Sequence, residues 1–173
     1  DETKARTLMA LAFVDNCVID ADALTSFENN PDELFVDTYP HTIFTPHEGE
    51  FRRLFGDNIA SMNDKVLKCV EASKIAGSIV LLKGSDTVIA NPKGEVVINF
   101  SKAPYLATAG SGDVLAGIIA SLVGKNKMNS FDAACAGAWI HSKLGEYLGP
   151  GLIAEDLVDN IPYIIKKLAN YEI

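Results

Sequence analysis

The stretch LATAGSGDVLAGIIASLV, residues 106–123, sets Gly110 and Gly112 around Ser111, follows them with Asp113 and leads into an apolar helical repeat. Glycine permits backbone geometries that a Cβ resists, and the first turn of a helix carries N–H groups without intrahelical partners. Gly110, Ser111 and Gly112 therefore form a candidate anion hole, with Asp113 placed to act as a base. A plainer reading makes Ser111 a helix cap and Asp113 a complement to the helix dipole. The motif alone leaves both open, because short glycine patterns recur by chance.

Three more stretches put polar residues at strand ends or helix starts. In CVIDADAL, Asp20 and Asp22 follow an apolar strand, and capping of the next helix is favoured there over direct chemistry. In TPHEGEF, Glu48 and Glu50 suit a first helical turn, whereas the His47 imidazole, able to donate or accept, points to a ligand site. In LLKGSDT, Lys83 stands where its charge could meet a phosphate, and Gly84 permits a tight turn before Ser85, Asp86 and Thr87. An ordinary hairpin connection explains that segment equally well, and the P-loop spacing is absent. Together the four stretches supply what phosphoryl transfer needs, positioning and charge neutralisation: an anion hole, the base Asp113, the cation Lys83, and acidic side chains able to hold Mg2+ through water. His141, inside AACAGAWIHSKLGE, is expected as a core or helix-surface histidine.

Hydrophobic periodicity supplies the elements that must position these residues. Leu8, Leu11 and Ala12 mark a helix, and apolar strands are expected at 17–19, 42–44 and 79–82. A helix should start near residue 48, after the breaker Pro46. Met62, Val66, Cys69, Val70 and Ser73 line a further helix that ends at Ala76-Gly77-Ser78. TVIANP and EVVINF around NPKG read as a hairpin. Helices follow over about 111–122, 131–147 and 154 to the end, the last expected to break or kink at Pro162. The small residues Ala116, Gly117, Ala120 and Ser121 suggest close packing on the second face of the 111–122 helix. Strands alternating with helices define an α/β domain whose mostly parallel sheet is covered on both faces, with ligands at the strands' carboxyl ends.

At 173 residues, 48% of them hydrophobic, the chain suffices for a single domain with a substantial core. A formal net charge of -8 opposes a nucleic-acid binder, and no apolar run approaches a membrane span. Cys17, Cys69 and Cys135 are expected as free thiols in a reducing cytoplasm, and neither they nor His41, His47 and His141 have zinc-site spacing. The chain starts Asp1-Glu2-Thr3-Lys4 and enters helical patterning at once, as a piece of a longer polypeptide would.

With these motifs in place the chain resembles the carboxyl-terminal two-thirds of an ADP/ATP-dependent NAD(P)H-hydrate dehydratase, a ribokinase-like family. The resemblance runs through VIDADAL, TPHEGEF, LLKGSDTVIANPKGEVVIN, LATAGSGDVLAGIIASL, AACAGAWIHSKLGE and AEDL in order. GSGD alone would indicate only the superfamily. The superfamily's small-molecule kinases usually carry asparagine where His47 stands, in an Asn-x-x-Glu motif that Glu50 completes here. The resemblance implies a ribokinase-like three-layer α/β/α fold lacking its amino-terminal part. It further implies repair of hydrated NADH or NADPH: ADP or ATP phosphorylates the ring hydroxyl, and loss of phosphate restores the double bond. By that resemblance Asp113 is the general base and contacts substrate, His47 binds the hydrated dinucleotide, and Lys83, Gly84, Ser85, Asp86, Thr87 and Gly112 bind the nucleotide. Glu50 becomes a ligand of Mg2+ through water, and ADP the expected donor. SKAPYLATAGSGD departs from the family's usual Asn-Pro-Gly turn, and the glycine-rich amino-terminal third is missing. Without it an edge of the sheet would lie open, so a homo-oligomer or a complementing amino-terminal segment is expected. Two rival readings are a ribokinase-like kinase of a hydroxymethyl-pyrimidine, thiazole alcohol or sugar, and a non-catalytic nucleotide-binding fragment.

Overall fold

The computed structural model describes residues 2–171, and each expected strand forms with helices on both sides. The elements in order are α1 (Glu2–Phe13), β1 (Val18–Ile19), α2 (Asp22–Thr25), α3 (Asp32–Phe35), β2 (Ile43–Phe44), α4 (Glu48–Ala60), α5 (Lys65–Ala76), β3 (Ile79–Leu82), β4 (Asp86–Ala90), β5 (Val96–Phe100), α6 (Ser111–Gly124), α7 (Ser130–Leu148) and α8 (Ala154–Ala169). The strands lie in sequence order in one sheet. β1, β2 and β3 are parallel, and the β4–β5 hairpin continues the sheet antiparallel.

Successive side chains on a strand point to opposite faces, so one short apolar run can serve two cores. Ile19, Phe44, Val80, Leu82, Val88 and Ala90 face a layer in which Phe27, Phe51, Leu54, Phe55, Cys69 and Ala72 are buried. Ile43, Ile79, Leu81 and Ile89 face α6 and α7, meeting Leu115, Ile119, Ala134 and Ala138. Outside α6 and α7, Leu157 and Ile164 of α8 close a third cluster with Ile118, Ile140 and Leu144. The sheet between these two helix layers gives the three layers of the expected architecture, with α8 packed outside α6 and α7. Among the described residues no helix is long and apolar enough to cross a membrane.

Several expectations change on inspection. Met62 precedes α5 instead of lying on its face, because Asp64 caps that helix through the amides of Val66 and Leu67. α8 runs unbroken through Pro162, which is exposed on the helix surface. Neither α2 nor α3 is apparent from periodicity, since each has only four residues. The close packing expected at Ala116, Gly117, Ala120 and Ser121 lies elsewhere. Gly117, Ala120 and Ser121 are exposed, and Gly117 and Ser121 line a groove of about 540 Å³ against Val158, Ile161 and Ile165 of α8. The tight approach is instead at Gly137 of α7, where an added Cβ would stand 2.5 Å from Ile119 Cγ1.

Candidate active site

The carboxyl ends of β1, β2 and β3 and the head of α6 open onto one cavity of about 880 Å³. Of the residues singled out in the sequence, His47, Glu50, Lys83, Gly84, Ser85, Thr87, Gly110, Ser111, Gly112 and Asp113 line it. Asp86 does not. Its carboxylate turns away to Lys65, 3.0 Å from Nζ, and this pairing holds Asp86 below the ordinary carboxylate range. The Thr87 hydroxyl donates to the Gly84 carbonyl at 3.2 Å, closing the turn after Lys83.

The head of α6 departs from a capped helix start. Gly110 occupies the N-cap in the left-handed region with φ 79°, and no side chain caps the turn. A Cβ at Gly110 would also stand 3.0 Å from Ala154 Cβ, so two constraints favour glycine there. The Ser111 N–H donates to the Thr108 carbonyl. The amides of Gly112 and Asp113 have no hydrogen-bond partner among the described residues, which leaves two donors for an anion. The Asp113 carboxylate likewise makes no hydrogen bond or ion pair to the described residues and borders both the cavity and the groove.

Ser111 is not a cap. Its hydroxyl lies 2.9 Å from His141 Nε2, and both residues are buried. Burial pushes the His141 pKa down to about 4; a hydrogen bond to the Ser111 backbone opposes that shift, and Lys83 adds to it. The imidazole is therefore neutral at physiological pH. Expected as a core or helix-surface residue, His141 is buried but forms part of the cavity wall.

Across the cavity Lys83 stands between two carboxylates, with Nζ 2.8 Å from Asp20 Oδ1 and 3.7 Å from Glu50 Oε2. Asp20 thus belongs to the site and is not the cap favoured from sequence. The N-cap of α2 is Ala21, which makes no side-chain cap and holds φ 50°, ψ -124°, a conformation costly for a residue with a Cβ. A Cβ at Gly112 would stand 3.3 Å from Lys83 Nζ and 3.8 Å from Asp20 Oδ2, so the ion pair faces the amide turn directly.

His47 caps α4. Its Nδ1 accepts from the amides of Gly49 at 2.9 Å and Glu50 at 3.2 Å, while its own N–H donates to Glu50 Oε2 at 2.8 Å. Because Nδ1 is an acceptor, Nε2 is the nitrogen that carries the ring proton; it lies 3.5 Å from Glu50 Oε1, and His47 lines the cavity. Lys68 holds Glu48, the next residue, through both carboxylate oxygens and so fixes the same turn. Glu50 is accordingly buried, with Oε2 already committed. Among the described residues no three His, Cys, Asp or Glu converge as a metal cage.

Helix layers on both faces of the sheet, with a glycine turn feeding a helix start at the strands' carboxyl ends, are a ribokinase-like architecture. A ribokinase-like protein of Enterococcus faecalis superposes with TM-score 0.79 at 25% identity, over 94% of this chain and 58% of that one. The sequence pattern of the NAD(P)H-hydrate dehydratase family matches residues 2–166, and the chain belongs to that family. The ADP-dependent (S)-NAD(P)H-hydrate dehydratase of Neisseria meningitidis is 39% identical over 157 residues, 88% of this chain and 53% of that protein. The Moorella thermoacetica bifunctional NAD(P)H-hydrate repair enzyme Nnr is 40% identical over 159 residues, 87% of this chain and 29% of its own length. The Bacillus subtilis ADP/ATP-dependent NAD(P)H-hydrate dehydratase, crystallised with ATP/Mg2+ and soaked with CoA, superposes with TM-score 0.73 at 26% identity, over 88% of this chain and 56% of that one. The chain thus spans between 29% and 58% of the length of these proteins.

Proposed function

We propose that this chain supplies the nucleotide-binding and phosphoryl-transfer part of an enzyme that dehydrates hydrated NADH and NADPH, with ADP preferred over ATP as donor. The observation that carries the reading is the uncommitted Asp113 carboxylate beside the two unpartnered amides at the head of α6, opposite Lys83. In the proposed reaction Asp113 takes the proton of the ring hydroxyl as its oxygen attacks the terminal phosphoryl group. A new P–O bond forms, the bond to the donor breaks, and the nucleotide leaves one phosphate shorter. The ring C–O bond then breaks with phosphate as leaving group, and loss of a ring proton restores the double bond. The Gly112 and Asp113 amides receive the transferred phosphate's charge. Lys83, Gly84, Ser85 and Thr87 line the nucleotide's side of the cavity. The Nε2–H of His47, at the cavity wall beside Glu50, is a donor for the hydrated nicotinamide. Mg2+ would neutralise phosphate charge, held by the nucleotide with Glu50 through water.

The sheet's β1 edge and the small-residue face of α6 are the surfaces a further segment would cover, since an open edge and an apolar groove invite pairing. We assign them to an amino-terminal segment or a second copy, and the free thiols to a cytoplasmic protein. The deciding experiment offers hydrated NADH with ADP or ATP to the intact protein and follows the return of reduced-nicotinamide absorbance. Turnover that falls about a hundredfold to ten-thousandfold in Asp113→Asn, with ADP binding retained, supports the reading. A stable phosphorylated product would favour a kinase, and binding without turnover would favour a non-catalytic fragment. A clear preference for ATP would reverse the donor assignment.

A further inference from the structure

Ser111 is the only residue with a side chain between Gly110 and Gly112, so it is the one handle by which the rest of the fold can hold that turn. His141 takes hold of it through Oγ, which lies 2.9 Å from Nε2. The neighbours of His141 on the buried face of α7 are small or apolar: Ala134, Gly137, Ala138 and Leu144. An aliphatic residue would fill the position without the cost of burying an imidazole, a cost offset only when the ring is hydrogen-bonded.

α7 is itself fixed against its surroundings. Gly137 lets Ile119 of α6 approach closely, and on the sheet side the Asn99 amide donates to Ser142 Oγ at 2.7 Å and to the Ala138 carbonyl at 3.3 Å. The imidazole is therefore delivered to Ser111 from a rigid support, and it carries no role in the chemistry described above. We propose that His141 is a positioning residue for anion binding: by clamping Ser111 it fixes the following amides of Gly112 and Asp113 in the orientation that receives the donor's phosphate. This rests on reading the cavity as a nucleotide site. A neutral clamp suits the task, because it orients the turn without adding a charge beside the Lys83–Asp20 pair.

The test compares ADP, which has phosphates, with adenosine, which has none, by calorimetry on the intact protein. His141→Phe is expected to weaken ADP about fivefold to tenfold, the equivalent of a net hydrogen bond, and to leave adenosine unchanged. His141→Gln, which can still reach Ser111, should recover much of the loss. Ser111→Ala removes the same contact from the other side and serves if His141→Phe fails to fold. The double variant should bind ADP no worse than the weaker single one, because both remove one clamp. Equal losses for ADP and adenosine, no loss for ADP, or additive losses would overturn the proposal. A wild-type protein that binds no ADP would overturn the reading of the cavity and this proposal with it. ADP binding by the wild type that His141→Phe leaves intact would overturn the clamp alone.

Discussion

Acidification from about pH 8 to about pH 5 is expected to destabilise the protein through His141, and the size of the effect follows from its burial. An unfolded imidazole takes up a proton near its ordinary value of 6.5, whereas His141 in the fold does so only near about 4, chiefly because burial disfavours the cation. Between those values the unfolded state binds more protons than the folded one, so stability falls as pH falls. The loss sets in near pH 6.5 and is complete below about 4. At about 1.4 kcal/mol per pH unit it amounts to about 2 kcal/mol by pH 5 and about 3 kcal/mol in full. The carboxyls held below their ordinary range, Asp86 and Glu146, contribute only at lower pH, because their unfolded counterparts titrate near 3.8 and 4.5. The assay is urea unfolding at a series of pH values for the wild type and His141→Gln. Glutamine should lower stability at neutral pH and flatten the slope between about pH 6.5 and 5. Two curves that stay parallel through that window would refute the assignment of a buried neutral imidazole, because the slope would then belong to another group.

Two further outcomes follow from local geometry. His47→Asn should keep the α4 cap, since asparagine also accepts from the first-turn amides, yet remove the Nε2–H. It is expected to weaken hydrated-NADH binding selectively, whereas His47→Ala should cost about 1 kcal/mol of stability; calorimetry with both ligands and urea midpoints check the pair. Gly137→Ala places a Cβ 2.5 Å from the buried Ile119 side chain. Overpacking of about 1–3 kcal/mol should outweigh the gain of about 1 kcal/mol in helix propensity, and the unfolding midpoint should drop.

Sequence reading succeeded where the physics is local. Apolar runs buried on both faces mark β1, β2 and β3, and their carboxyl ends must share an edge once the strands are parallel, so His47, Lys83 and the glycine turn could be grouped before any fold was known. Glycines on either side of Ser111 marked an open helix start, and two amides there lack partners among the described residues. Reading failed where one side chain had several possible partners. Asp20 could cap the adjacent helix or meet Lys83, 63 residues away; a half-buried ammonium without a counter-charge is costly, and the fold chose the distant pair. Asp86 fell to Lys65 by the same competition.

What the sequence by itself determined is the order of the elements, the two-sided burial of the sheet and the residue types at its functional edge, because periodicity and turn chemistry act over a few neighbours. What only the tertiary structure decided is which of those residues act together. Whether His141 meets solvent, core or Ser111 depends on how closely α7 crosses α6, and that is set by the fit of Ile119 against Gly137. Whether the small residues of α6 are packed or open depends on where α8 lies, a matter of helix crossing that residue types along one helix leave undetermined.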